Sequence, residues 1–142
     1  MPKGMHAPHG YTPDWEIDEK TAADIRLIFQ YACAGLTYQT MLKRLQGWNQ
    51  DRIYYFIQQD VYTGVLRYHQ NGVLCVKEND HPAIISREVF EAVQLLKQMN
   101  LLRTTRRMFT AAEMWALDYA WNVGAAVWGE ETLKKLWEEE WE

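Results

Sequence analysis

The sequence predicts a mainly α protein with a small β-hairpin, of the α+β class, built from short helices. Three observations predict it. Apolar residues recur at spacings of three and four through most of the chain after residue 20. That rhythm lapses over residues 63–80, around Asn71-Gly72, a dipeptide that favours a two-residue hairpin turn. Capping residues then restart the helical rhythm at Ser86 and at Thr110.

Residues 1–20 hold three of the four Pro and two Gly, and read as an extended N-terminal arm. His6 and His9 are expected to be solvated within it. The arm ends in the acidic run "EIDEKTA", suited to a helix start. From Thr21, an apolar stripe of Ala22, Ile25, Ile28, Phe29 and Ala32 marks the first helix, with Gly35 as its left-handed stop. Thr37 is placed to cap "YQTMLKRLQ", whose inner face is Tyr38, Met41, Leu42 and Leu45. Gly47 breaks that helix. Asn49 then caps "QDRIYYFIQQD", with Ile53, Phe56 and Ile57 inward.

The Asn71-Gly72 hairpin follows, and "AII" at 83–85 is read as a brief third strand. Ser86 caps a fourth helix with Val89, Phe90, Val93 and Leu96 or Met99 on one face. "RTTRR" at 103–107 is a basic joint. Thr110 and Glu113 form a capping box for a fifth helix, weakened at its far end by Gly124 and Gly129. A last helix, near 130–141, carries Leu133, Leu136, Trp137 and Trp141. Three helices, a hairpin and a fourth helix make a winged helix-turn-helix-like body over 21–102, and 103–142 is a C-terminal helical extension.

Bulk properties narrow the class. The chain has 142 residues, 48% of them hydrophobic, enough for one core. No run approaches the roughly 18 apolar residues of a membrane span, and the N-terminus lacks the apolar core expected of a signal peptide. A soluble cytoplasmic protein is expected. Cys33 and Cys75 stand far apart among apolar neighbours and read as two buried thiols. The Cys and His spacings form no metal-ligand pattern, and no cofactor is expected. The only Ser, Ser86, is a helix cap, and no acid/base couple or phosphate loop stands out, so no enzyme is expected.

The net charge of −4 is unevenly spread. Residues 21–109 carry eleven Lys and Arg against seven acids, while residues 110–142 carry two Lys against eight acids. The middle suits a polyanion and the tail does not.

Narrower features carry a resemblance. "APHGY" (7–11), "WEIDEKTAADIRLIFQYACAGLTYQTMLKRLQGW" (15–48), "IYYFIQQDVYTGVL" (53–66) and "NDHPAIISREVFEAVQLL" (79–96) follow one another in order. Together they resemble the recombinase domain of large serine recombinases, the DNA-binding segment that follows the catalytic domain in that family. The resemblance covers about residues 7–98. The family's resolvase-like catalytic domain and its zinc ribbon have no counterpart in these residues. Asp60-Val61 stands where Asn-Pro is common in the family.

The resemblance implies DNA site recognition without catalysis, in a mobile element or phage. On that reading the third helix faces double-stranded DNA with Gln50, Arg52, Tyr54 and Gln58, since Arg and Gln read base edges through paired hydrogen bonds. Lys43 and Arg44 are placed for phosphates, and Arg67, His69 and Lys77 add contacts from the hairpin. Arg103, Arg106 and Arg107 track a backbone or enter a minor groove. The competing reading is that these are ordinary solvated faces.

The tail has three readings. It is a helix packed on the core, a surface for a protein partner or a homodimer, or a mimic of nucleic acid. The last two point to Trp128, Trp137, Trp141, Glu138, Glu139 and Glu140, and to a freestanding accessory or inhibitor protein.

Overall fold

The computed structural model describes residues 6–103 and 108–140. Among these are six α-helices and one two-stranded antiparallel hairpin.

Helix α1 (Glu19–Cys33) begins after Asp18, whose carboxylate accepts from the Lys20 amide at 3.1 Å. It closes at Gly35, at φ 79°: the Gly35 amide donates to Ala32 O and the Leu36 amide to Tyr31 O. Helix α2 (Tyr38–Arg44) is not capped by the Thr37 side chain as expected. Thr37 Oγ1 lies 3.4 Å from Thr40 Oγ1, and the Tyr38 amide is satisfied by Leu102 O at 2.8 Å. Helix α3 (Gln50–Ile57) is capped by Asn49, which accepts from the Arg52 amide at 2.8 Å.

Strands β1 (Leu66–Gln70) and β2 (Val73–Lys77) pair with Tyr68 opposite Cys75. Asn71 at φ 53° and Gly72 at φ 78° both take the left-handed turn conformation that the dipeptide favours. Helix α4 (Arg87–Gln98) starts on Ser86, helix α5 (Ala111–Trp128) on the Thr110–Glu113 capping box, and helix α6 (Glu130–Glu140) after Gly129.

Helix α1 is central and touches α3, α4, α5 and α6. Its Ile25, Ile28 and Phe29 join Ile53, Ile57, Val89, Val93, Leu96, Ala116, Ala120, Leu133 and Leu136 in one core. Burying such side chains contributes roughly 1.5–3 kcal/mol each. The helical extension therefore shares the core of the preceding helices.

Several expectations are corrected. The N-terminal segment is not a loose arm over its described part. Tyr11 and Trp15 are buried, and Tyr11 forms a β-bridge with Ile17. His6 is exposed, but His9 is half-buried against Trp48 and Phe56. The "AII" segment is not a strand. The Ile84 and Ile85 amides both donate to Tyr62 O, at 2.9 and 3.0 Å, so no ladder is left to form. Cys33 is buried, and burial pushes its thiol up to about 12. Cys75 sits half-exposed on the projecting hairpin.

The motif around His81 explains itself at this point. His81 Nε2 lies 2.6 Å from Val61 O, which can only accept, so that nitrogen carries the hydrogen. Nδ1 faces the Asp80 carboxylate at 3.0 Å. Both side chains are about 1% exposed. Tyr11 Oη donates to Pro82 O at 2.7 Å. His81 thus ties the foot of the hairpin to the turn that follows α3.

Gly124 costs α5 helix propensity, and it is also a point of close approach. A Cβ there would stand 2.7 Å from Cys33 Cβ on α1. Gly124→Ala should gain about 1 kcal/mol of helix propensity and lose roughly 1–3 kcal/mol to overpacking. The expected net result is a lower melting temperature, restored by adding Cys33→Gly. A raised melting temperature for Gly124→Ala alone would contradict this packing.

Candidate nucleic-acid interface

Helices α2 and α3 are joined by residues 45–49 and pack on each other, and α3 packs on α1, which leaves the outer side of α3 at the surface. Ile53 and Ile57 face the core because they are one turn apart. Asp51 and Tyr55 are the most outward positions, and Tyr55 is 59% exposed.

Arg52 lies half-buried across an aromatic platform. Its guanidinium is 4.0 Å from the Trp48 ring centre and 5.5 Å from that of Phe56. Trp48 and Phe56 in turn support the His9 ring. The contact holds the guanidinium at the N-terminal end of α3, where Nη1 also donates to Gly47 O at 3.4 Å. A planar cation held this way is ready to meet a base edge or a phosphate.

Tyr54 and Gln58 do not share that outer face as expected. Both are half-buried and turn toward α4. Gln58 donates to Tyr54 O and accepts from Lys97 Nζ at 3.2 Å. Lys97 and Arg103 each stand 5.6 Å from the Tyr54 ring. This places a second basic group where α3 meets the end of α4. Lys97 was missed in the sequence. Its signal was modest: a basic residue in the last turn of α4, one turn from Gln94, which donates to Ile57 O.

The remaining cations are partly engaged within the chain. Lys43 is exposed. Arg44 Nη2 donates to Glu139 O at 2.7 Å, so the acidic end of α6 rests on α2. On the hairpin, Arg67 grips Asp60 through Nε and Nη2 at 3.0 and 2.7 Å. The Asp60 carboxylate holds that guanidinium above its ordinary value. The same pair sets the hairpin beside the C-terminal end of α3. Lys77 Nζ lies 3.5 Å from the Asp80 carboxylate, and His69 is exposed. Arg106 and Arg107 lie outside the described residues.

The tail residues divide. Trp128 is half-buried against the core. Trp137 is 37% exposed, and its indole donates to Ala34 O at 2.7 Å. Glu138 and Glu139 are exposed. Glu140 ends α6, and Trp141 lies outside the described residues.

Arg52 therefore lies with Trp48 and Phe56 at the start of α3, and Tyr54, Gln58, Lys97 and Arg103 come together where α3 meets the end of α4. On the hairpin, Arg67 and His69 share one face and Lys77 lies on the other. Among the described residues no group of three or more His, Cys, Asp or Glu could hold a metal. No helix there is long and apolar enough to cross a membrane.

A family model described as Recombinase matches residues 19–100, more than half of the chain. The match runs from the first residue of α1 to the end of α4. No curated protein and no solved structure matches the chain.

Proposed function

Because the chain belongs to the recombinase-domain family of large serine recombinases, we propose that it is a non-catalytic, cytoplasmic DNA-binding module serving site recognition in a phage or other mobile element. The observation that carries this reading is α3. It lies at the surface with the Arg52 guanidinium over the Trp48 ring, and a projecting hairpin follows it. In helix-turn-helix proteins the second motif helix enters the major groove and the first braces on the backbone. On this reading Arg52 and Gln50 read bases. Lys43, Arg44, Lys97 and Arg103 meet phosphates, and the hairpin lies along the flanking duplex with His69. Binding would open the Arg44 contact with Glu139 and exchange it for a phosphate.

Fluorescence anisotropy with duplexes at low salt tests the proposal, including attachment-site sequences from the element that encodes the protein. Arg52→Ala should flatten the preference among sequences by about 1–3 kcal/mol at one position. Lys43→Ala should weaken every duplex alike. Absence of binding to any duplex would remove the proposal.

A second reading is a freestanding accessory or inhibitor protein that binds a protein partner through the acidic end of α6. It is favoured by the exposed Glu138 and Glu139 beside Arg44, since that end already meets a cation of its own chain. Charge variants suit its test better than truncation, because α6 supplies Leu133 and Leu136 to the core. Glu138→Lys with Glu139→Lys should abolish capture of a basic partner and leave folding intact.

A further inference from the structure

We propose that the protein self-associates through α5, two copies pairing antiparallel about a two-fold axis. One side of α5 is buried through Ala116, Ala120 and Gly124. The other carries Trp115, Tyr119, Asn122 and Ala126, all exposed. At 100° per residue these four fall within about 60° of arc, so they form one straight stripe. The stripe contains no charged side chain. Trp115 is 63% exposed and Tyr119 37%, and the exposed Asp118 flanks the stripe on one side. A helix apolar on both sides is normally covered on both.

The occupant is a second copy because the stripe is complementary to itself. In an antiparallel pair centred between Tyr119 and Asn122, Trp115 of each copy lies opposite Ala126 of the other. Tyr119 then lies opposite Asn122. The largest side chain thus meets the smallest, and a phenol meets an amide, twice over. An isologous contact requires this self-complementarity, whereas an unrelated partner would need only one half of it.

Both halves of the joint are already formed. Trp115 is stacked on Tyr119, with ring centres 5.4 Å apart and planes 8° from parallel, so the knob is set before any partner arrives. Beside Ala126 there is a groove of about 350 Å³ between α4 and α5, lined by Glu88, Tyr119, Asn122, Val123, Ala126 and Val127. Its floor is apolar, and Glu88 on its rim supplies an acceptor for an indole N–H. The pairing would present two copies of α3 related by a two-fold axis. It stands apart from the DNA-binding reading, since self-association is measured on the protein alone.

Sedimentation equilibrium of the full chain, from roughly 1 to 300 μM, is the test. A reversible monomer–dimer equilibrium is expected. Trp115→Ala removes the knob and Ala126→Arg fills the groove, and each should weaken the dimer by roughly tenfold or more. At concentrations where the parent is monomeric, their thermal melts should match it, because both positions are exposed. A chain that stays monomeric at the highest concentration overturns the proposal and leaves this face to a different protein. A dimer whose constant is the same in both folded variants overturns it as well.

Discussion

Replacing His81 with Ala is expected to cost about 3–5 kcal/mol of folding stability, the range for removing one partner of a buried charged pair. For a chain of this length that corresponds to a fall in melting temperature of about 10 °C. The cause is what the substitution leaves behind. Asp80 has a side chain about 1% exposed, and His81 is its shortest partner. Without the imidazole, the carboxylate keeps only Lys77 at 3.5 Å, and Val61 O loses its 2.6 Å donor. Asp80→Asn lowers the charge that must be buried, so His81→Ala should cost less in that background. Equal costs in the two backgrounds would show that the pair is not coupled.

The same pair has a pH signature. Burial pushes the Asp80 carboxyl up, but hydrogen bonds and charge from His81 and Lys77 outweigh it and hold the group below its ordinary value of 3.8. Its folded value is depressed, so the native state binds fewer protons than the unfolded chain near that pH. The stabilisation is present above about pH 3.8 and is lost as pH falls through the lower folded value. Denaturant midpoints of the parent should fall over that acid window, and those of Asp80→Asn should fall less.

Salt should weaken DNA binding steeply. If Lys43, Arg44, Lys97 and Arg103 each neutralise a phosphate, the expected log–log slope is about −3.6. Raising salt from 50 to 200 mM then lowers affinity by about a hundredfold. Arg44 gives up a main-chain carbonyl for a phosphate, so Arg44→Ala should cost less affinity than Arg103→Ala while lowering the slope by the same amount. A flat salt dependence would mean that contacts other than phosphates hold the duplex.

Much of the framework was legible because its signals are local. Asn49, Ser86 and the Thr110–Glu113 box cap helices within three residues of themselves, and Asn71-Gly72 sets its own turn. The failures came where a distant partner decides. The Thr37 hydroxyl meets the Thr40 hydroxyl instead of a backbone amide, and the first amide of α2 goes to Leu102 O, 64 residues away. The "AII" segment has strand chemistry but no neighbour to pair with, since one carbonyl takes two of its amides. Gly124 reads as a helix weakener until the Cys33 side chain is set beside it.

The site was legible by residue type rather than by arrangement. Arg52 over Trp48 is an i, i+4 pair and was within reach of sequence reasoning. The contact of Arg44 with Glu139 spans 95 residues, and that of Lys97 with Gln58 spans 39. No periodicity encodes either. Tyr54 and Gln58 were assigned to the outer side of α3 because a helical wheel cannot say where α4 will cross it.

The most direct test of the central claim is amide NMR of the labelled full chain during titration with duplex DNA. Shift changes concentrated on Gln50–Tyr55, on the hairpin from Arg67 to Lys77 and around Lys97 are expected. Changes confined to α5 and α6, with α3 unmoved, would contradict the account.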